Sequence, residues 1–250
     1  RITAAVNNTL HWQSIPPGVI EDTPAGKRQR YWHDFFNYAG IHRNVWLYTT
    51  NPARFTDVTI TTDLDGADGV ITYATQAENA DALETKVILR NAEGKEVTTL
   101  GGNSGTLTVP NVHKWAPGDG YLYDLELQLV DGDTVVDSYH QSVGVRTVKV
   151  DGIRFLINDE PFYFTGFGKH EDIPVIGKGH NDAFLVHDFE LLRWIGANSF
   201  RTSHYPYAED VLDYADRMGI VLIDETAAVG LNMGLGGGIF GAQGYTTFSP

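Results

Sequence analysis

Two stretches decide the fold of this chain: Asn198-Ser199-Phe200-Arg201-Thr202-Ser203-His204-Tyr205-Pro206 and, one helix-length further on, Ile220-Val221-Leu222-Ile223-Asp224-Glu225. Each is a short apolar run that ends in polar, reactive side chains. Ile220 to Ile223 is apolar at consecutive positions, the pattern of a strand covered on both faces. In parallel α/β barrels the reactive groups gather at the C-terminal ends of such strands.

Reading outward, residues 209–218 form a helix entered after Pro206 and stopped at Gly219, with Val211, Leu212, Ala215 and Met218 on its buried side. Upstream, Asn181 or Asp182 caps a helix running to Ile195, with Gly196 as its stop. Phe184, Leu185, Leu191, Leu192 and Ile195 give that helix an apolar face. Before it, Phe162-Tyr163-Phe164-Thr165-Gly166 reads as a strand. Strand-helix-strand-helix-strand is the start of a parallel α/β fold. A closed (β/α)8 barrel takes about 250 residues, and only the part of this sequence from 148 to 250 is available for it. Such a partial sheet would leave apolar edges open.

Residues 53–147 have a different period. Strands are predicted at 58–62, 69–77, 85–90, 106–109, 121–130, 134–139 and 142–148, separated by turn signals such as Asp65-Gly66, Pro117-Gly118-Asp119-Gly120 and Asp131-Gly132. Short strands at this spacing suit an immunoglobulin-like β-sandwich, held by apolar packing alone because the chain has 0 cysteines. No reactive groups cluster there, so it reads as a spacer. Residues 1–52 read as the end of a further β domain, with strands at 1–6 and 44–49 around a turn-rich loop containing Pro16-Pro17-Gly18.

The whole is thus multidomain, β plus α/β. The first residue is Arg1 rather than Met, and the last stretch, from Gly234 to Pro250, is glycine-rich and reads as a loop. Both lead us to expect a segment of a longer polypeptide.

Composition narrows the function. A net charge of −14 argues against nucleic acid and means that any anion must be recognised locally, against the long-range field. No apolar run approaches the ~20 residues of a membrane span. The sequon Asn7-Asn8-Thr9 is a triplet that arises often by chance. A phosphate loop is not evident, since Gly234 to Gly241 lacks the Lys-Ser/Thr ending, and there is no Gly-x-Ser-x-Gly elbow.

Polar groups instead follow each of the three strands: Lys169-His170-Glu171-Asp172 after the first, Arg201 and His204 at the second, and Asp224-Glu225 at the third. A single histidine is more often structural than catalytic, but three strands delivering such groups to one rim favour a site. Arg201 paired with Asp224 or Glu225 can equally be charge neutralisation, and a buried Arg that fixes a carboxylate also sets its pKa. A metal site from His170, His204 and Glu225, and a catalytic pair of Glu225 with Glu171 or Asp172, are the less favoured readings. In the aromatic run Tyr31-Trp32-His33-Asp34-Phe35-Phe36-Asn37-Tyr38, most rings are read as packing. Asp34 is read as a carboxylate acceptor for sugar hydroxyls beside flat rings.

Taken together, Asn198 to Pro206 with Val211-Leu212, Asp216, Gly219 and Ile220 to Ile223 at these spacings resemble a signature of glycoside hydrolase family 2. Ala39-Gly40-Ile41-His42-Arg43 ahead of Val45-Trp46-Leu47, and Trp115-Ala116-Pro117 with Tyr121-Leu122-Tyr123-Asp124-Leu125, extend the resemblance to the family's N-terminal jelly-roll and immunoglobulin-like domains. The segments His33 to Arg43, Tyr163 to Asp172 and Asp224 to Gly230 are similar to β-glucuronidases of that family rather than to its β-galactosidases.

The resemblance implies the end of a jelly-roll β-sandwich at 1–52, an immunoglobulin-like β-sandwich at 53–147, and the first part of a (β/α)8 TIM barrel at 148–250. It implies retaining hydrolysis of a small-molecule β-glucuronide without a cofactor or metal, by a homo-oligomer. One Glu would act as acid and a second as nucleophile. The family's acid follows an Asn, and no Asn-Glu dipeptide occurs in this sequence, so both glutamates are expected beyond Pro250, and the isolated segment is expected to be inactive. Asp34, His170 and His204 are similar to substrate-binding residues, and Arg201 to the support that keeps the nucleophilic carboxylate ionised. The cations that read the glucuronate carboxylate are also expected downstream. Two other readings stand beside this one: a different family 2 glycosidase such as a β-galactosidase, and a non-catalytic carbohydrate-binding or structural fragment.

Overall fold

The computed structural model describes residues 1–31, 33 and 35–227. The chain divides into two units. One comprises Arg1–Val45, Gly166–Leu212 and Leu222–Pro250; the other comprises Trp46–Thr165 and Asp213–Val221.

In the first unit the N-terminal part contributes a hairpin, β1 (Gly18–Thr23) and β2 (Gly26–Tyr31), closed by Gly26 at φ +111°. Residues 1–6 form no strand, and Ile2 and Val6 are exposed. This corrects the strand expected there. Alternation marks a face, but a strand also needs a neighbour for its N–H and C=O groups, and among the described residues none lies alongside.

The second unit holds two antiparallel sheets around one core. Strands β3 (Arg54–Asp65), β4 (Asp68–Glu78) and β7 (Ser104–Val109) form the first sheet, in the order β3-β4-β7. The second sheet contains β5 (Glu84–Arg90), β6 (Glu96–Gly101), β8 (Tyr123–Asp131) and β9 (Thr134–Val143), in the order β6-β5-β8-β9. Strict alternation on β8 buries Tyr123, Leu125, Leu127 and Leu129 while Asp124, Glu126 and Gln128 face outward. Val87 and Leu89 of the neighbouring β5 lie alongside them, and Ile71 and Tyr73 of β4 with Leu107 and Val109 of β7, from the first sheet, complete the same core. Each such side chain contributes roughly 1.5–3 kcal/mol by leaving water.

Three differences from the sequence reading arise here. The stretch 142–148 is not a separate strand, because β9 runs unbroken to Val143. In addition, β6 exists although only Val97 and Leu100 are apolar in it. Residues 44–49 are also without strand, with Val45, Trp46, Leu47 and Tyr48 exposed.

Three short strands follow, β10 (Val148–Asp151), β11 (Arg154–Ile157) and β12 (Glu160–Pro161), in a small antiparallel sheet. The loop containing Trp115 closes on residues 216–219. Its indole Nε1 donates to the Asp216 carbonyl at 2.7 Å, and Gly118 N donates to the Gly219 carbonyl at 2.8 Å. Gly120 is required there, since a Cβ would sit 2.4 Å from the Arg217 carbonyl oxygen.

The α/β element draws on the remainder of the first unit, with Asp213–Val221 counted in the second. Strand β13 (Gly166–Lys169) pairs in parallel with β16 (Ser199–Thr202), and the sheet order is β13-β16-β17, where β17 is Val221–Ile223. Helix α1 (Asp182–Trp194) lies between β13 and β16 in sequence, and α2 (Glu209–Met218) between β16 and β17. Asn181 caps α1, its side-chain oxygen accepting from Ala183 N and Phe184 N at 3.1 and 3.2 Å. Gly196, at φ +76°, follows the helix end.

The buried side of α1 is Phe189 and Leu192, whereas Leu191 and Ile195, expected on it, are exposed. The first strand of this sheet also begins later than expected, at Gly166 rather than Phe162. Phe162 and Phe164 instead pack on Phe155, with ring centroids 6.3 and 5.1 Å away. A pair of short strands, β14 (Asp172–Ile173) and β15 (Gly177–Lys178), completes the element.

Candidate active site

The parallel register sets Gly168 beside Arg201 and Lys169 beside Thr202, so the residues that follow β13 and β16 emerge at one end of the sheet. Gly168 allows the approach, because a Cβ there would lie 2.5 Å from the Ser203 hydroxyl. His170 and His204 meet edge to face, with ring centroids 5.3 Å apart. Phe35 stands 6.2 Å from each of them and 5.3 Å from Tyr205, and on its other side contacts His33 at 4.2 Å.

The third strand supplies the acids. Buried Thr202 donates its hydroxyl to Asp224 Oδ1 at 2.9 Å and accepts from Glu225 N at 2.8 Å, which fixes the chain just after β17. Arg201 Nη1 donates to Glu225 Oε1, while Glu225 Oε2 lies 3.6 Å from His204 Nδ1. Arg201, His204 and Glu225 therefore form one contiguous polar group at the rim.

A second layer holds the loops. Arg43 Nη2 donates to both oxygens of Glu171, at 3.3 and 3.4 Å, and to the Pro206 carbonyl. Lys178 Nζ sits 3.4 Å from the centre of the Tyr205 ring. Burial lowers the pKa of this lysine, and the ring face compensates part of the lost hydration. Tyr207 donates to the Lys169 carbonyl, and Lys169 Nζ pairs with Asp188 at 2.8 Å. Burial pushes the Tyr205 and Tyr207 phenols upward, so both stay neutral. Tyr38 is raised as well, first by its hydrogen bond to Asp172 and then by burial.

Beside His204 and Tyr205 opens a cleft of about 240 Å³, lined by the stretch Phe35 to Gly40 with His42 and Lys178 among others. Burial, then the charges of Lys178 and Arg43, lower the pKa of His42 below its ordinary 6.5. An unfolded chain therefore takes up the proton first as pH falls. The stability that neutral His42 contributes is complete above pH 6.5 and is lost as pH drops through the folded value. His42→Gln is expected to flatten the Tm-against-pH curve below pH 6.5; a curve with wild-type shape would remove His42 as the cause.

Among the candidate residues, the structure brings His170 and His204 together and pairs Arg201 with Glu225. Asp34 and Trp32 lie outside the described residues, as does the segment from Ala228 on. Among the described residues no group of three His, Asp or Glu side chains is placed to hold a metal ion. Glu171 is buried against Arg43.

Phe35, Arg43, Tyr205 and Lys178 were missed by sequence reasoning. Phe35 carried a signal, being the ring next to Asp34. Arg43 lies 128 positions from Glu171, a pairing that no local pattern reveals.

Comparison with known proteins adds a separate line of observation. The profile of the glycosyl hydrolases family 2 TIM barrel domain matches residues 148–244, and that of glycosyl hydrolases family 2 matches residues 53–146. A beta-glucuronidase of Paenibacillus borealis is 53% identical over 237 residues, covering 92% of this chain and 40% of that protein. The Rattus norvegicus beta-glucuronidase is 46% identical over 243 residues, covering 92% and 38%.

Among solved structures, the beta-D-glucuronidase of Dictyoglomus thermophilum superposes with a TM-score of 0.84 at 45% identity, over 91% of this chain and 40% of that one. The Ruminococcus gnavus β-glucuronidase in complex with D-glucuronic acid gives 0.84 at 38% identity, over 89% and 39%. The chain thus spans about 40% of the length of these relatives. With two profiles of one family adjoining along it, each matching the strand-end residues or the sheets described above, the chain belongs to glycosyl hydrolases family 2.

Proposed function

We propose that this chain is the sugar-holding portion of an enzyme that hydrolyses β-D-glucuronides with retention of configuration. The observation that carries the reading is the convergence of His170, His204 and the Arg201–Glu225 pair at one end of the β13-β16-β17 sheet. The names and bound glucuronic acid of the similar proteins support the substrate.

In this reading His170 and His204 hydrogen-bond ring hydroxyls of the sugar, together with Asp34. Such contacts strengthen as the ring approaches an oxocarbenium ion. Phe35 offers its flat face beside them. Arg201 holds a rim carboxylate ionised. The acid and the nucleophile are two glutamates whose carboxyls stand about 5–5.5 Å apart, contributed by parts of the enzyme outside this sequence, which has no Asn-Glu dipeptide. With a net charge of −14, capture of the glucuronate carboxylate rests on cations placed locally in those parts.

The architecture proposed alongside is the end of a jelly roll at 1–52, an immunoglobulin-like sandwich at 53–147 and the first strands of a (β/α)8 barrel at 148–250. The intact enzyme is a homo-oligomer by the same resemblance.

The test compares 4-nitrophenyl β-D-glucuronide with the corresponding β-D-galactoside, using the full-length enzyme. A preference of at least about a hundredfold for the glucuronide is expected, since a site built around a polar group discriminates strongly against its absence. Preference for the galactoside would replace the reading with another family 2 activity. No turnover of either, with sugar binding retained, would leave a binding module.

A further inference from the structure

We infer that Arg43 is a positioning residue of the sugar site, tying the loop that bears His170 to the loop that bears His204. The inference rests on the reading of those two histidines as sugar contacts.

One guanidinium nitrogen, Nη2, lies 3.3 and 3.4 Å from the Glu171 oxygens and also donates to the carbonyl of Pro206. Glu171 directly follows His170, and Pro206 lies two residues beyond His204. A single cation therefore grips both strand-end loops within a residue or two of the rings they carry. The contacts to Glu171 are charge-assisted, which strengthens them even at 3.3 and 3.4 Å.

The grip is also sheltered. Glu171 is only 8% exposed, and a carboxylate so placed is costly to leave without its partner. Neighbouring contacts stiffen the same two loops: Lys178 lies over Tyr205, and Tyr207 bonds back to the Lys169 carbonyl. Arg43, however, is the group that binds a side chain of one loop and the backbone of the other. The 5.3 Å separation of the His170 and His204 rings depends on it.

Lysine would keep the charge, but its ammonium rides on a flexible stem and lacks the rigid planar placement from which Nη2 reaches both partners. That separates positioning from mere neutralisation. In the full-length enzyme, R43K is expected to lower kcat/KM for 4-nitrophenyl β-D-glucuronide about tenfold, and R43A about thirtyfold, mostly in kcat, because displacing a catalytic contact by 1 Å costs on the order of a hundredfold. E171Q is expected to resemble R43K, and R43A/E171Q to be no worse than R43A alone.

Turnover by the wild-type enzyme tests the glucuronide reading, and the ratio of variant to wild type tests the clamp. A crystal structure of R43K tests the clamp without any substrate: the ring separation should change by several tenths of an ångström or more. Wild-type kcat/KM in folded R43K and E171Q, or an unchanged ring separation, overturns the proposal. Should R43A not fold, those two variants decide the question.

Discussion

His170→Ala and His204→Ala, each in the full-length enzyme, are expected to lower kcat/KM on an aryl β-D-glucuronide by about two orders of magnitude or more, with most of the loss in kcat. The two rings meet at 5.3 Å and each stands 6.2 Å from the ring of Phe35, so each is flanked by its neighbours. Contacts to sugar hydroxyls that strengthen in an oxocarbenium-like transition state supply several kcal/mol, and about 1.4 kcal/mol corresponds to a factor of ten. Since such contacts act in the transition state more than in the ground state, KM should move little.

The measurement is steady-state kinetics on variants whose Tm stays near that of wild type. Near-wild-type turnover in both would remove the histidines from the site. If His170→Ala alone were silent, Phe35 and His204 would remain as the contact surface and the assignment would narrow to β16.

Much of this arrangement is legible in the sequence, for identifiable reasons. Asn181 and Gly196 bracket α1, and Gly219 ends α2, because each satisfies a local demand of a helix terminus. The strand at Ser199–Thr202 is equally local, four residues with reactive groups at its end.

What failed was what depends on a distant partner. The Phe162-Tyr163-Phe164 alternation imitates a strand, yet its two phenylalanines pack on Phe155 and the strand starts at Gly166. Residues 1–6 and 44–49 carry strand-like composition without a neighbouring strand among the described residues. Conversely, β6 has little apolar content and exists because β5 offers it an edge. In the site, polar residues at strand ends announced His170, Arg201 and His204. Phe35 was visible as an aromatic ring but read as packing. The Arg43–Glu171 pair brings together a loop near the N-terminus and the end of β13, and only the folded chain shows it.

Arg201→Ala is expected to lower kcat about a hundredfold, and the way the loss is shared with Glu225 shows whose charge Arg201 serves. Arg201 donates to Glu225 Oε1, and the other carboxylate oxygen faces His204 at 3.6 Å. If Arg201 acts only through Glu225, then Glu225→Gln should cost nearly as much, and the double variant should be no worse than either alone. If it also supports a nucleophile supplied elsewhere in the enzyme, Arg201→Ala should exceed Glu225→Gln by tenfold or more.

The pair is partly open to solvent, Arg201 being 43% exposed. Its effect on stability should therefore be small, and the kinetic loss should appear without a matching fall in Tm. Arg201→Lys should recover only part of the activity, because a compact ammonium cannot reproduce the planar guanidinium. Additive losses in the double variant, or full activity in Arg201→Lys, would show that Arg201 supplies charge to the rim in general and fixes no particular carboxylate.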